Sequence, residues 1–420
     1  MDYIPLYWAI PVFMSLVLIE IFYEYREGEK THRFNSTLAN LSVGAVEMIV
    51  GASSHLIVLF VYILAFESIA IFQWENTAAI WLIGLLAYEF CYYWKHRFGH
   101  EVNLLWGAHV VHHQSEDMNF STAVRLSATS SIWGSLFYLP VAILGVPPFV
   151  FMIVKALTLT YQFFIHTEHI SRLPAWFEFI FNSPAHHRVH HACQEQYLDK
   201  NYGSLLIIWD RLFGTFADEK EQPVYGAVKK IDSWNPVYVN TAYYHQIVEW
   251  LKQSRSIKDT LQIVFGRPDS LPQYLFGETG SMKGEKLIKP NEKYDAGHQN
   301  SRLLKFYCLL QFIVALSLAF CLLFFYEDLR WWEIGLISLW SLTSLSLLGK
   351  LLQGDLRNLF RWESTKHLAM LVVMIIMLEY GSIQIQDFWF LISLPSIGIV
   401  LSLFLRPLSV KRQLSWSIAK

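Results

Sequence analysis

The chain of 420 residues is too apolar for an ordinary soluble protein, because 54% of its residues are hydrophobic and only 16% are charged, whereas soluble domains carry about 25% charged residues. Its formal net charge of −2 argues against a nucleic-acid partner. The cysteines are scattered without a CxxC pair, which excludes a zinc ribbon and disfavours a disulfide framework; they are Cys91, Cys193, Cys308 and Cys321. A membrane protein is therefore expected.

Apolar runs that approach the roughly 20 residues needed to cross a bilayer follow one another along the chain. They lie at 4–22, 44–67, 77–94, 303–325, 332–349, 366–380 and 387–405. A further run, 130–165, is interrupted by LGVPPF at 144–149, which predicts a helical hairpin. The sequence thus predicts about nine spans, with 130–144 and 366–380 short enough to be re-entrant or buried. The N-terminal run has no basic segment before it, so we expect a first span and not a signal peptide.

The positions of lysine and arginine orient these spans. Basic residues occur in the connections 23–43, 95–129, 166–302 and 350–366, whereas 68–76, 145–148 and 381–386 have none; Arg330 and Lys155 are exceptions. Basic connections face the cytosol. We therefore expect both histidine-rich stretches on the cytosolic face, in a bacterial inner membrane or an endoplasmic reticulum membrane.

Two short stretches gather histidines at helical spacing. They contain one HxxxH and two HxxHH motifs, formed by His96 and His100, by His109, His112 and His113, and by His187, His190 and His191. Residues separated by three or four positions share one face of a helix. His166, in YQFFIHTEHI, is a ninth candidate. Imidazole is a good ligand for iron, zinc, copper and nickel, and eight or nine ligands exceed the coordination of one ion, so the pattern predicts two metals.

Other metal and protein classes fit this pattern less well. A structural zinc needs only four ligands. A carboxylate-bridged di-iron bundle needs two Glu-x-x-His motifs, and only Glu29-Lys30-Thr31-His32 has that spacing. The HExxH motif of zinc proteases is absent, because His100-Glu101 is followed by Val-Asn-Leu. A metal transporter is the non-enzyme alternative, but transporter sites usually lie near the bilayer midplane, whereas these ligands lie at span ends and in loops.

The three histidine motifs, in this order and spacing, resemble the eight-histidine pattern of the fatty acid hydroxylase and sterol desaturase superfamily over roughly residues 35 to 220. Longer stretches are most similar to its alkylglycerol monooxygenase subfamily, namely HHQSEDMNFSTAVR, YQFFIHTEHI, SPAHHRVHHA and DKNYGSLLIIWDRLFGTF. The resemblance implies an all-α, multi-pass membrane helical bundle with a cytosolic histidine-rich di-metal cap. It also implies an iron-dependent monooxygenase that uses tetrahydrobiopterin and O2 to cleave ether lipids; hydroxylation or desaturation of sterols, fatty acids or carotenoids is the alternative.

This resemblance assigns roles to individual residues. The eight motif histidines become catalytic ligands of two Fe ions, with His166 as a further ligand. Glu101 becomes the candidate pterin-binding residue, and Glu89, seven positions before His96, a candidate for orienting a ligand's free N–H. The residues Asp199, Lys200 and Asn201 are expected to build the loop around the metals.

The sequence divides into three regions and lacks a redox domain of its own. Residues 1–220 form the catalytic membrane domain, 221–300 a cytosolic helical segment and linker, and 301–420 the C-terminal transmembrane helices. There is no GxGxxG fingerprint and no cysteine set for an iron–sulfur cluster. Electrons must therefore come from outside the chain, either from the pterin or from an external reductase, while the lipid substrate and the membrane are the other expected partners.

Overall fold

The computed structural model describes residues 4–28, 31–75, 77–279, 293–294, 301–354 and 359–381. These residues form helices and no β-strand, which confirms the predicted all-α fold. Within the described ranges, strand-like pairing is limited to two isolated bridges, Phe181 with Leu206 and Ala192 with Tyr225.

Sixteen α-helices follow one another along the described chain. The first eight are α1 (Ile4–Glu27), α2 (Phe34–Ile69), α3 (Ala78–Glu101), α4 (Asn103–His113), α5 (Phe120–Ala123), α6 (Ser130–Phe137), α7 (Leu139–Ile143) and α8 (Pro148–Ile165). The others are α9 (Ala175–Ile180), α10 (Pro184–His190), α11 (Ile208–Phe213), α12 (Pro236–Lys252), α13 (Ile257–Phe265), α14 (Arg302–Phe324), α15 (Trp331–Leu352) and α16 (Leu359–Tyr380). Short 3₁₀ helices occupy Glu195–Tyr197, Pro268–Ser270 and Gln273–Thr279.

Three of the described helices are long and apolar enough to cross a membrane: α8, α14 and α15. Helix α2 is bent by 51° between Phe34–Gly51 and His55–Ile69, and it would be a fourth if both parts form one span. A chain with several spans is confirmed, but among the described residues only three or four helices are candidate spans, fewer than the sequence predicts for that part of the chain. One reason is that α6 and α7 have only eight and five residues, too few to cross a bilayer. The predicted span 387–405 lies outside the described residues.

The predicted hairpin is present between α7 and α8. The chain turns at Gly145, whose φ of +91° is in the left-handed region that glycine adopts without strain. A side chain there would also collide with the neighbouring loop, since a Cβ on Gly145 would lie 1.9 Å from the Phe72 carbonyl oxygen. The Ile71 amide donates to the Ile143 carbonyl at 2.7 Å, so the loop after α2 fixes this turn.

Two large apolar cores hold the bundle together. One joins α2 to α14, α15 and α16, and the other joins α2 and α3 to α7 and α8. Helix α3 leaves the second core, where Tyr88 and Cys91 are buried, and carries His96 and His100 at its far end. The polar segment 221–300 contributes α12 and α13, which pack on Val110 of α4. The predicted linker 277–300 lies mostly outside the described residues.

Candidate metal centre

The turn between α3 and α4 is fixed by hydrogen bonds from the polar segment. The Asn103 amide N–H donates to the Gly266 carbonyl at 2.9 Å, and its side chain donates to the Ile263 carbonyl at 2.6 Å. The Tyr243 hydroxyl donates to the Asn103 side-chain oxygen at 2.6 Å. Because Asn103 is fully buried and makes all three bonds, the HxxxH and first HxxHH motifs are held in one relative position.

The second HxxHH motif lies on α10, which begins with a capping box. The Ser183 hydroxyl accepts from the His186 amide, and the His186 side chain accepts from the Ser183 amide, each at 3.4 Å. Pro184 occupies the first turn, where its missing N–H costs nothing. His186, which directly precedes this motif, therefore caps the helix and is not among the histidines that could share a metal ion.

The structure brings the nine histidines singled out in the sequence into two groups. In each group, one ring nitrogen from every histidine lies within 4.8 Å of those of the others, as expected of atoms that could share a metal ion. One group has five members: His96, His100, His109, His113 and His190. The other has four: His112, His166, His187 and His191. The adjacent pairs 112/113 and 190/191 divide between the two groups, so α4 and α10 each contribute to both.

Nε2 atoms converge inside the five-histidine group. His109 Nε2 lies 2.9 Å from His96 Nε2 and 3.0 Å from His113 Nε2. Two neighbouring ligands at right angles, each about 2.1 Å from a metal, are separated by about 3 Å. The Nε2 atoms of His100 and His190 are buried and lack a hydrogen-bond partner among the residues that the structure describes. The donor set therefore fits a metal ion.

The four-histidine group has the same geometry. His166 Nε2 lies 2.9 Å from His187 Nε2 and 3.3 Å from His112 Nε2, and His191 Nε2 is buried without a partner in the described ranges. His166 comes directly after α8, with φ −85° and ψ 68°, so this imidazole lies at the end of a candidate membrane span.

Backbone carbonyls orient four of these rings. A hydrogen on Nδ1 donated to a carbonyl leaves Nε2 unprotonated and free to bind a metal. The Nδ1 atoms lie 2.6–3.1 Å from their acceptors: His96 from Tyr202 O, His112 from Arg125 O, His166 from Gln162 O, and His190 from Lys200 O. Both groups thus have ligands held in the tautomer that coordination through Nε2 requires.

Burial keeps five of these imidazoles uncharged. Desolvation lowers the pKa of His112 to about 3 and that of His166 to about 4. It also holds the pKa of His187, His190 and His191 well below the ordinary value of 6.5. At neutral pH these rings are therefore neutral, which is the form that binds metal ions.

The loop that carries two of the orienting carbonyls is held from several sides. Asp199 and Asn201 have φ of +59° and +56°, a conformation that residues other than glycine seldom adopt, and they turn the Lys200 carbonyl toward His190. The Asn201 side chain donates to the His186 and Ala217 carbonyls at 3.0 and 2.8 Å. The structure thus places the predicted loop residues around the histidines.

Asp210 fixes the next part of the same loop. Its carboxylate is fully buried and accepts from the amides of Tyr202 and Gly203 at 2.7 and 2.6 Å. The Thr215 hydroxyl also donates to it, at 2.7 Å. The Tyr202 carbonyl in turn accepts from His96 Nδ1. Asp210 therefore supports the position of His96 through Tyr202.

Comparisons with known proteins identify the chain. Residues 81–215, which contain all nine histidines, match the fatty acid hydroxylase family model. An alkylglycerol monooxygenase of Danio rerio is 34% identical over 348 residues, 82% of this chain and 76% of the relative. The chain belongs to the alkylglycerol monooxygenase family. The alkylglycerol monooxygenase of Homo sapiens is 35% identical over 316 residues, which are 74% of this chain and 69% of the relative. That of Xenopus tropicalis is 32% identical over 323 residues, which are 74% of this chain and 68% of the relative. No solved structure matches the chain.

Family membership confirms the predicted enzyme class. The chain is an oxidoreductase, a membrane lipid monooxygenase, and the transporter alternative is not supported. A metal site of the hydroxylase type agrees with the two histidine groups.

Two acidic residues singled out in the sequence have partners that the sequence analysis did not identify. Glu101 is shared between Arg97, at 3.2 Å, and Arg267, at 3.0 Å, and its side chain is 20% exposed. Glu89 was expected to orient the N–H of a ligand. Instead, its Oε2 accepts from the amides of Leu205 and Leu206 at 2.9 and 3.0 Å, so it anchors the loop after Tyr202.

The sequence interpretation missed a buried polar cluster at the end of α1. Glu20 and Glu24 are only 5% and 3% exposed. Glu20 accepts from the Phe120 amide at 2.7 Å and the Thr167 hydroxyl at 3.0 Å, and Glu24 lies 2.9 Å from His32 Nδ1. This cluster fastens α1 to the segment that follows His166. Two carboxylates four residues apart in an apolar helix were the available signal, since such groups need partners.

Proposed function

We propose that this chain cleaves ether lipids of the alkylglycerol class by hydroxylating the carbon beside the ether oxygen, with two iron ions held by the nine histidines. The observation that carries the proposal is the convergence of nine buried or partly buried imidazoles into groups of five and four. It is supported by 34% identity to the alkylglycerol monooxygenase of Danio rerio, whose name gives the substrate class.

The chain's own residues supply the environment for this reaction. When bound, iron would contribute the O2 chemistry that no side chain provides. Neutral rings, fixed through Nδ1 by backbone carbonyls, would keep their Nε2 atoms directed at the ions. The burial of both groups excludes bulk water, which protects an oxidising site from side reactions.

The overall reaction balances with one external reductant. One oxygen atom of O2 enters a C–H bond of the carbon beside the ether oxygen and gives a hemiacetal, while the second oxygen becomes water with two electrons and two protons from the reductant. The hemiacetal then breaks its C–O bond to the glycerol oxygen, which takes up the hydroxyl proton. The products are an aldehyde and a free glycerol hydroxyl, so the protein needs to direct only the first step.

Tetrahydrobiopterin is the proposed reductant, on the strength of family membership. The predicted role of Glu101 in binding it has two supports, its place beside His100 and its partial exposure. Both of its carboxylate oxygens, however, already face arginines. An external reductase is the alternative donor, and it would dock on the same side of the cap.

The histidine cap is proposed to face the cytosol. The support is the clustering of lysine and arginine in the connections that carry the histidines, together with their absence from 68–76 and 145–148. The lipid chain would then approach from the bilayer between helices, while its head group meets the cap.

An isotope experiment tests the proposed reaction. Purified, iron-loaded protein is supplied with an alkylglycerol, tetrahydrobiopterin and ¹⁸O2, and the aldehyde is reduced immediately to an alcohol to prevent exchange with water. Label in the former aldehyde and none in the glycerol is expected, because the inserted oxygen stays on the hydroxylated carbon. Label in the glycerol, or unlabelled products, would overturn the mechanism.

A further inference from the structure

The two HxxHH motifs differ in the residue that follows the first histidine. In the first motif, on α4, this residue is Val110, which is 2% exposed and packs against α12 and α13. In the second motif, on α10, it is Arg188, which is 5% exposed. An arginine is seldom buried unless its charge is paired and its donors are satisfied. The groups around Arg188 therefore indicate what this charge does inside the cap.

The guanidinium of Arg188 has an acceptor for each of its five N–H donors. Nε and Nη2 donate to Oε1 and Oε2 of Glu219 at 2.8 and 2.6 Å, the two-pronged geometry in which arginine binds a carboxylate strongly. Nη1 donates to the carbonyls of Thr167 and Ile170 at 3.1 and 2.7 Å, and Nη2 donates to that of Ser171 at 2.9 Å. We call these five contacts the Arg188 clamp.

The Arg188 clamp holds the segment that follows a ligand candidate. Thr167 comes directly after His166, and the backbone from 166 to 174 is irregular between the end of α8 and the start of α9. Buried carbonyls in such a segment have no helical N–H donor, so they need a donor from elsewhere. Because Arg188 supplies donors to three of these carbonyls, it fixes the course of the backbone that leaves His166.

This segment and α10 contribute different ligand candidates to the same histidine group. His166 lies in the irregular segment, whereas His187 and His191 lie on α10 and at its end, and all three belong to the four-histidine group. Consecutive side chains on a helix point about 100° apart. The His187 ring can therefore face His166, with their Nε2 atoms 2.9 Å apart, while Arg188 reaches the backbone on another side. The Arg188 clamp thus joins the two parts of the chain that must meet for this group to form.

Other contacts also hold these two parts together. Tyr161 of α8 donates to the Asn182 carbonyl, just before α10, and Glu20 accepts from the Thr167 hydroxyl at 3.0 Å. Loss of the Arg188 clamp should therefore loosen His166 without unfolding the cap. The five-histidine group takes no ligand candidate from the segment after α8, so its metal binding should not depend on the clamp.

We propose that Arg188 is a positioning residue of the four-histidine group: its clamp sets the place of His166 relative to His187, and thereby the affinity of this group for its metal. The inference rests on the proposed two-metal centre and deepens it, because it gives a residue inside a ligand motif a task other than coordination. Arg188 does not bind the metal itself, since a guanidinium has no acceptor atom, and Glu219 balances its charge.

Metal binding to one histidine group at a time tests this proposal. His190→Ala removes a member of the five-histidine group and leaves the other group complete, whereas His191→Ala does the reverse. Each protein is prepared with and without Arg188→Gln, loaded anaerobically with ferrous iron, dialysed against graded chelator concentrations and analysed for iron per chain. In the His190→Ala protein, Arg188→Gln should release iron at about 10- to 100-fold lower chelator concentration, the usual effect of removing the support of a ligand. In the His191→Ala protein, the release of iron should not change.

Arg211→Gln is the matched control in the His190→Ala protein. Arg211 also donates to two backbone carbonyls, those of Glu178 and Phe179 at 3.0 and 3.1 Å, but neither lies in the segment after His166, so iron binding should be retained. Glu219→Gln keeps the three carbonyl contacts of Arg188 and should cause a smaller loss than Arg188→Gln.

Two results would overturn the role of Arg188. One is unchanged iron binding by the His190→Ala protein when Arg188→Gln is added. The other is an equal loss in the His190→Ala and His191→Ala proteins, which would show a general effect on folding. If the His190→Ala protein with native Arg188 binds no iron, the independent four-histidine metal site itself is refuted, and the proposed two-metal centre falls together with the inference.

Discussion

Replacing Asp210 by alanine should release one metal and spare the other. Asp210 does not belong to either histidine group, but its carboxylate holds the amides of Tyr202 and Gly203. The Tyr202 carbonyl in turn lies 2.7 Å from Nδ1 of His96, a member of the five-histidine group. In the four-histidine group, the carbonyls that orient His112 and His166 belong to Arg125 and Gln162. Asp210 is not connected to either of these carbonyls by the contacts described above, so this group should keep its metal.

The size of the effect follows from these contacts. Two buried N–H groups lose their acceptor, at about 1–3 kcal/mol each, whereas the Thr215 hydroxyl can still bond to Tyr93 Oη, 3.0 Å away. Burial raises the pKa of Asp210 to about 6, so relief of its desolvation offsets part of the loss. We expect a net loss near the lower end, about 2 kcal/mol. Removing the support of a ligand should weaken metal binding in the five-histidine group about 10- to 100-fold.

A chelator challenge followed by elemental analysis measures this difference. Wild-type protein and the Asp210→Ala variant are iron-loaded, dialysed against a graded series of chelator concentrations and analysed for iron per chain. The variant should lose one iron at about 10- to 100-fold lower chelator concentration, and the second at the same concentration as the wild type. Asp218→Ala is the control, since Asp218 is 48% exposed and pairs with Arg172. Simultaneous loss of both irons, or no loss, would refute the reasoning.

Three further predictions concern the ligands, acidity and topology. His190→Ala and His191→Ala should each abolish activity and retain about one iron per chain. His190→Ala should lose the iron of the five-histidine group, and His191→Ala that of the four-histidine group. Loss of iron from the same group in both variants would contradict the division. Metal-free protein should lose thermal stability as the pH falls below about 6.5, the pKa of an unfolded histidine. Below that pH the unfolded chain gains protons that folded His112, with its pKa of about 3, does not bind. Above that pH the stability should not change with pH. A cysteine at Lys252, 63% exposed, should be labelled from the cytosol, and one at Gln73 from the opposite side; the reverse would invert the orientation.

The sequence indicated which histidines the fold brings together because that signal is local. Positions separated by three or four residues share a helical face wherever a helix forms, and α3, α4 and α10 do form around the three motifs. His166 could be added because a single imidazole at the end of an apolar run is unusual. The described residues hold fewer candidate spans than the sequence predicts for them, since hydropathy does not separate a membrane-crossing helix from the short, partly buried α6 and α7.

The division of ligands between the two groups could not be read from the sequence. Adjacent histidines such as His112 and His113 point about 100° apart on a helix, and which group each joins depends on how α10 packs against α4. The orienting carbonyls have no sequence signal, because every residue has one. Glu101 illustrates a third limit: its partner Arg267 lies far along the chain and reaches it only through the fold.

Metal stoichiometry tests the central claim most directly. The full-length protein is loaded anaerobically with ferrous iron, freed of loosely bound metal, and analysed for iron and protein on the same sample. Two histidine groups, each with converging Nε2 atoms, predict about two irons per chain, one for each group. A ratio that stays near one or zero in protein that is folded and fully loaded would contradict the two-metal centre.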